Sequence, residues 1–135
     1  MPTLKTRRLF ISHAWSYDYH YNKVVEWFDD ASNFDWRNYS VPSHDACSET
    51  TKKGLKECLT RQISPSQGII ILAGMYAAHS DWIDYEIDEA LRLGKTIIGV
   101  RPWGQERTPI KIQNAADVMV NWQQSSVVDT VRVWI

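Results

Sequence analysis

The sequence predicts a single α/β domain: a five-stranded parallel sheet with helices packed on both faces. Three observations carry this. Short apolar runs alternate with amphipathic helical patterns along the whole chain. One run, GIIILAG (68–74), is apolar without alternation, as a central strand buried on both faces requires. The 135 residues contain no repeat, low-complexity tract or linker, so residues 1–135 make one domain.

The elements follow in order. LFIS (9–12) is the first strand. Tyr21, Val24, Val25, Phe28 and Ala31 recur at helical spacing and make the first helix. FDWRNYSV (34–41) is aromatic and half alternating, as in an edge strand. PSHDACS (42–48) has turn chemistry, and Ser48 is the expected N-cap of a helix with Leu55, Cys58, Leu59 and Ile63 on one face. Pro65-Ser66-Gln67 ends it ahead of the 68–74 strand. SDWIDYEIDEALRLG (80–94) is a helix with Ser80 as N-cap, Gly94 as C-cap and Ile83, Ile87, Ala90 and Leu91 facing the core. TIIGV (96–100) is the fourth strand, 101–115 a long loop with two prolines, and DVMVNW (117–122) the fifth strand. Val127, Val128, Val131 and Trp134 mark the last helix. Strands separated by helices pair in parallel through right-handed crossovers. The natural result is the flavodoxin-like strand order 2-1-3-4-5.

Composition narrows the function classes. Hydrophobic residues make up 44% and charged residues 23%, enough apolar content for a domain-sized core. The net charge is −1, which withholds the basic footprint of a nucleic-acid surface. The longest apolar stretch, 68–78, is too short to span a bilayer. The MPTLKTRR start leads straight into a strand and carries no signal peptide, so the expected compartment is the cytoplasm. Cys47 and Cys58 form no CxxC motif and read as free thiols in a reducing compartment. His13, His20, His44 and His79 lack the spacing of a helical zinc site, so no metal is expected.

In a 2-1-3-4-5 sheet, ligands bind beyond the carboxyl ends of strands 1 and 3, where the strand order reverses. The first of those ends is Ser12-His13-Ala14-Trp15. The second is Gly74-Met75, which leads into the helix carrying Trp82 and Glu86. The crevice therefore draws on Ser12, His13, Asp18, His79, Asp81 and Glu86. It contains neither a GxGxxG nor a GxxxxGK[ST] motif. A phospho-receiver would need acids where Ser12-His13 and Gly74-Met75 stand. Glu86 falls roughly 80° from the centre of the Ile83/Ile87/Ala90/Leu91 face, with Trp82 one turn before it. It is either a solvated boundary glutamate beside a half-buried tryptophan, or a carboxylate held against an aromatic wall at the mouth of the crevice. Arg101 and Trp103, which open the loop after strand 4, read as surface residues.

RRLFISHAW (7–15), GIIILAG (68–74) and SDWIDYEIDEALRLGKTIIGV (80–100) together resemble the TIR domain, and most closely the bacterial and archaeal TIR-like proteins of the Thoeris anti-phage type, the ThsB subunit. The W-x-x-x-E spacing from Trp82 to Glu86, with an apolar helix, GK and an isoleucine strand after it, is the most specific part. Animal and plant forms usually carry an aspartate soon after the strand-1 serine. Here the stretch is SHAWSYD, with Asp18 the nearest acid, and His13 and Trp15 fit the bacterial branch.

The resemblance implies cleavage of NAD⁺, taken as substrate and not as cofactor, with Glu86 as the catalytic carboxylate. It places Ser12, His13 and Trp15 against the nucleotide, and His44 and Asp45 in a loop that closes over the site or packs on a neighbouring subunit. It also implies homotypic self-association and a downstream effector reached through an ADP-ribose-derived product, cyclic or conjugated. Two rival readings stand beside it: a non-catalytic TIR interaction module, and a nucleoside deoxyribosyltransferase-like N-glycosidase. A retained Glu86 argues against the first. The second wants further acidic and amide residues that the crevice does not assemble.

Overall fold

The computed structural model describes residues 5–12, 19–40, 51–102 and 107–135, with side chains at 75 and 77–79 excepted. Its elements are β1 (Thr6–Ile11), α1 (Tyr19–Asp30), β2 (Asp35–Asn38), α2 (Lys52–Ile63), β3 (Gly68–Leu72), α3 (Tyr76–Arg92), β4 (Thr96–Val100), α4 (Ile110–Ala115), β5 (Val118–Val120) and α5 (Gln124–Trp134). The five strands form one parallel sheet in the order β2-β1-β3-β4-β5. This is the predicted architecture.

The apolar pattern explains the layering. β3 is buried along its whole length, because helices cover both of its faces. α1 and α5 pack together, and α2 and α4 flank α3. Phe28 of α1 stacks on Phe34 at a centroid distance of 5.3 Å and meets the edge of Trp36 at 5.0 Å, closing the core beneath β2. Gly99 of β4 has no Cβ, which leaves room for the Met119 and Ile112 side chains to lie against the strand.

Several boundaries differ from expectation. α2 is capped by Thr51, whose hydroxyl accepts the Gly54 N–H at 3.0 Å; the expected cap, Ser48, lies outside the described residues. α3 begins at Tyr76 and not after Ser80, because a single 3₁₀ turn, Ala73–Met75, feeds straight from β3 into Tyr-Ala-Ala, which contains no helix breaker. The 101–115 segment holds α4, a helix too short to show a periodic pattern and anchored by one buried residue, Ile112. Leu91 and Trp134, assigned to core faces, are 54% and 47% exposed. Cys58 is disulfide-bonded, which overturns its reading as a free thiol; the sequence's other cysteine, Cys47, lies outside the described residues. Among the described residues, no helix is long and apolar enough to cross a membrane.

Candidate functional site

The candidate site begins with how β1 ends. Along β1 and β3 the ladder is ordinary until Ser12, whose N–H donates to the Ile70 carbonyl at 2.8 Å. The next rung is different: the Leu72 N–H donates to the Ser12 hydroxyl oxygen at 3.1 Å. On the other side of β1, the Ile11 N–H donates to the Ser40 hydroxyl at 2.7 Å. Both serines are buried. Side-chain hydroxyls thus satisfy backbone donors where the strands part, and the chain leaves the sheet at the switch point without orphaned N–H groups at these positions. Sequence reasoning missed Ser40. Its only signal was a serine just after an edge-strand pattern, ahead of Val-Pro in the sequence.

Glu86 comes from α3. Because Leu91 points to solvent, the buried stripe of this helix is Ile83, Glu86, Ile87 and Ala90, each 0% exposed. At about 100° per residue, Glu86 lies within roughly 50° of the centre of that stripe. It is not a boundary residue. Trp82, one turn earlier, is half-buried and packs against the core. Neither side chain is without a partner in the chain. Lys111, at the start of α4, pairs with Asp88 at 2.8 Å, and Ile112 lies against Gly99 near the carboxyl end of β4. Glu86 lies two residues before Asp88, and so about 3 Å nearer the carboxyl-end rim of the sheet.

Two neighbours fix the exposed side of α3. The Tyr76 hydroxyl donates to Asp84 at 2.8 Å, and that hydrogen bond, ahead of burial and the charges of Asp84 and Asp81, raises the phenol's pKa above its ordinary value. The bond to Asp88 is the main reason the Lys111 ammonium is raised above its own.

Across the carboxyl ends of β3, β4 and β5 runs a narrow cleft bounded by Gly74, Val100, Arg101, Pro102, His20 and Trp122. Trp122 packs 4.6 Å from Trp27 and 5.1 Å from His20, a small aromatic wall that joins α1 to the residues after β5. Arg101 is exposed, as expected, and Trp122 packs against the core; both border this cleft. Of the expected site residues, Ser12, Trp82 and Glu86 are placed. His13, Trp15, His44 and Asp45 lie outside the described residues, as does Asp18. Asp81 is exposed. Among the described residues, no group of three or more His, Cys, Asp or Glu could hold a metal ion.

The family model of the Thoeris protein ThsB, TIR-like domain, matches residues 10–107, more than two thirds of the chain. The chain belongs to this family. The match takes in Ser12, Trp82 and Glu86. A solved structure, the CMP N-glycosidase BcmB of Clostridium botulinum, is similar to this ThsB-type domain, with a TM-score of 0.61 at 12% identity over 95% of this chain and 100% of that one. At that identity the likeness is one of fold. No curated protein matches the chain.

Proposed function

We propose that this ThsB-type TIR-like domain is an enzyme that cleaves the N-glycosidic bond of NAD⁺, releases nicotinamide and passes the ADP-ribosyl group into a cyclic or conjugated signal in anti-phage defence. The observation that carries the reading is Glu86, a carboxylate with no exposed surface on the core-facing stripe of α3. A fully buried carboxylate is held by partners that offset its desolvation, and Glu86 has such a partner in the chain, so its position on α3 is fixed. The shared fold with a protein named as a CMP N-glycosidase adds support, since both reactions break a bond between a ribose and a ring nitrogen.

The chemistry suits one carboxylate. Nicotinamide is bound to ribose as a pyridinium and departs as a neutral base, so no general acid is required. The electron pair of the C–N bond leaves with the ring, and the ribose passes through an oxocarbenium-like state. Glu86 stabilises that positive charge and accepts hydrogen bonds from the ribose hydroxyls. Trp82 forms a wall that excludes water. Attack by water gives ADP-ribose, whereas attack by an internal or added nucleophile gives a cyclic or conjugated product. Ser12, with its hydroxyl committed to Leu72, acts by fixing the end of β1 ahead of His13 and Trp15, which this reading assigns to the nucleotide. This reading assigns His44 and Asp45 to substrate binding or to contact with a neighbouring subunit.

Glu86→Gln keeps the shape of the side chain and removes its charge. Nicotinamide release, followed by mass spectrometry of the products, is expected to fall by well over tenfold with the fold intact. Turnover within tenfold of the parent removes Glu86 from the reaction. A parallel incubation with CMP separates this reading from a nucleotide N-glycosidase, which would release cytosine.

A further inference from the structure

A larger cavity, about 560 Å³, is lined among the described residues by Arg101, Arg107, Thr108, Ile110 and Gln113, at and beside α4, and by Met119 of the edge strand β5. Its size is that of a nucleotide-scale pocket. Its charge is one-sided: the described lining carries two guanidiniums and no carboxylate. Arg101 donates through Nη1 to the Asn121 side-chain carbonyl at 3.1 Å, a neutral partner that orients the guanidinium without cancelling its charge. Arg107 makes no ion pair among the described residues; Glu106, its neighbour in sequence, lies outside them. Lys111, on the same helix as Ile110 and Gln113, pairs with Asp88. Met119 and Ile110 supply an apolar side to the cavity. Arg101 also borders the cleft that Trp122 and His20 wall, so the two spaces meet at one guanidinium.

Two unneutralised guanidiniums around one space match the oxygens of linked phosphates, which accept several N–H donors at once. We propose that this cavity is a nucleotide subsite in which Arg101 and Arg107 hold a diphosphate group. The assignment rests on the two arginines and the cavity and does not require Glu86 to be catalytic.

Calorimetric titration of the full chain with inorganic pyrophosphate at low ionic strength tests it. Binding is expected in the parent chain, unchanged in Glu86→Gln, and weakened at least tenfold in Arg107→Gln and in Arg101→Gln. Arg107 is exposed, so its replacement leaves the fold in place. Pyrophosphate bound by Arg107→Gln within twofold of the parent, or no binding to the parent at millimolar concentration, overturns the proposal. Titration of NAD⁺ into the Glu86→Gln background then identifies the source of the diphosphate. If Arg107→Gln weakens NAD⁺ and pyrophosphate alike, the group is the substrate's own. If it weakens pyrophosphate and ADP but leaves NAD⁺ unchanged, a separate nucleotide occupies the site.

Discussion

Ser12 shows how one buried hydroxyl can shape a site without facing it. Its oxygen takes the Leu72 N–H at a point where neither group reaches water. Ser12→Ala leaves that donor unsatisfied, and the expected cost is about 1–3 kcal/mol of stability. Urea denaturation of the two proteins measures it. A midpoint shift too small for that range would show that Leu72 finds another acceptor and that the strand end does not depend on the serine. Ser12 was legible as a crevice residue from the strand order alone, but its hydrogen bond was not, because sequence carries no information on which donor a strand-end hydroxyl will meet. Glu86 was misjudged for a related reason. Leu91 is apolar and stood at helical spacing, so it drew the expected face away from the glutamate. Its exposure is a matter of what packs beside α3, and only the tertiary structure supplies that.

At the scale of elements, α3 carries both the most and the least legible features. Its C-terminus was readable to the residue: Gly94 takes φ +69°, the Gly94 N–H reaches the Leu91 carbonyl at 3.2 Å, and the Lys95 N–H reaches Ala90 at 2.9 Å. That is a Schellman cap, which needs a residue without a Cβ penalty. Its start was not readable, because Tyr-Ala-Ala offers no capping side chain and Ser80 looked like one. Tyr76 ties that first turn to the body of the helix through Asp84. Tyr76→Phe is expected to destabilise the protein by roughly 0.5–1.5 kcal/mol, toward the low end because the pair is only half-buried. The sign of its pH dependence follows from the raised phenol pKa. The protonated hydroxyl is the donor, so its contribution is complete below the unfolded tyrosine pKa of about 10 and is lost as pH rises through the higher folded value. Thermal melts of both proteins should therefore show a constant gap from neutral pH to about pH 9 that closes in stronger alkali. A gap that persists unchanged there would mean the phenol packs and does not donate.

The whole molecule offers neighbours more than its sheet edges. On edge strand β2, Trp36 packs against the core and donates its indole N–H to Asp29 at 2.9 Å. Exposed apolar surface lies instead on Tyr19, Leu91, Ile110, Val133 and Trp134, of which Val133 and Trp134 end α5. A net charge of −1 gives little long-range repulsion between copies. Weak self-association is the expected consequence, with NAD⁺ cleavage stimulated as copies come together. Specific activity should rise over a hundredfold range of protein concentration, and sedimentation should show the population shifting from monomer to larger species over the same range. The Val133→Asp and Trp134→Asp double variant separates surface from site. It lies at the far end of α5 from Gln124, away from Glu86 on α3. If α5 makes the contact, the variant should remain monomeric and lose the rise with concentration while keeping the dilute-limit rate. Flat specific activity with a monomer throughout would place the complete reaction within one chain.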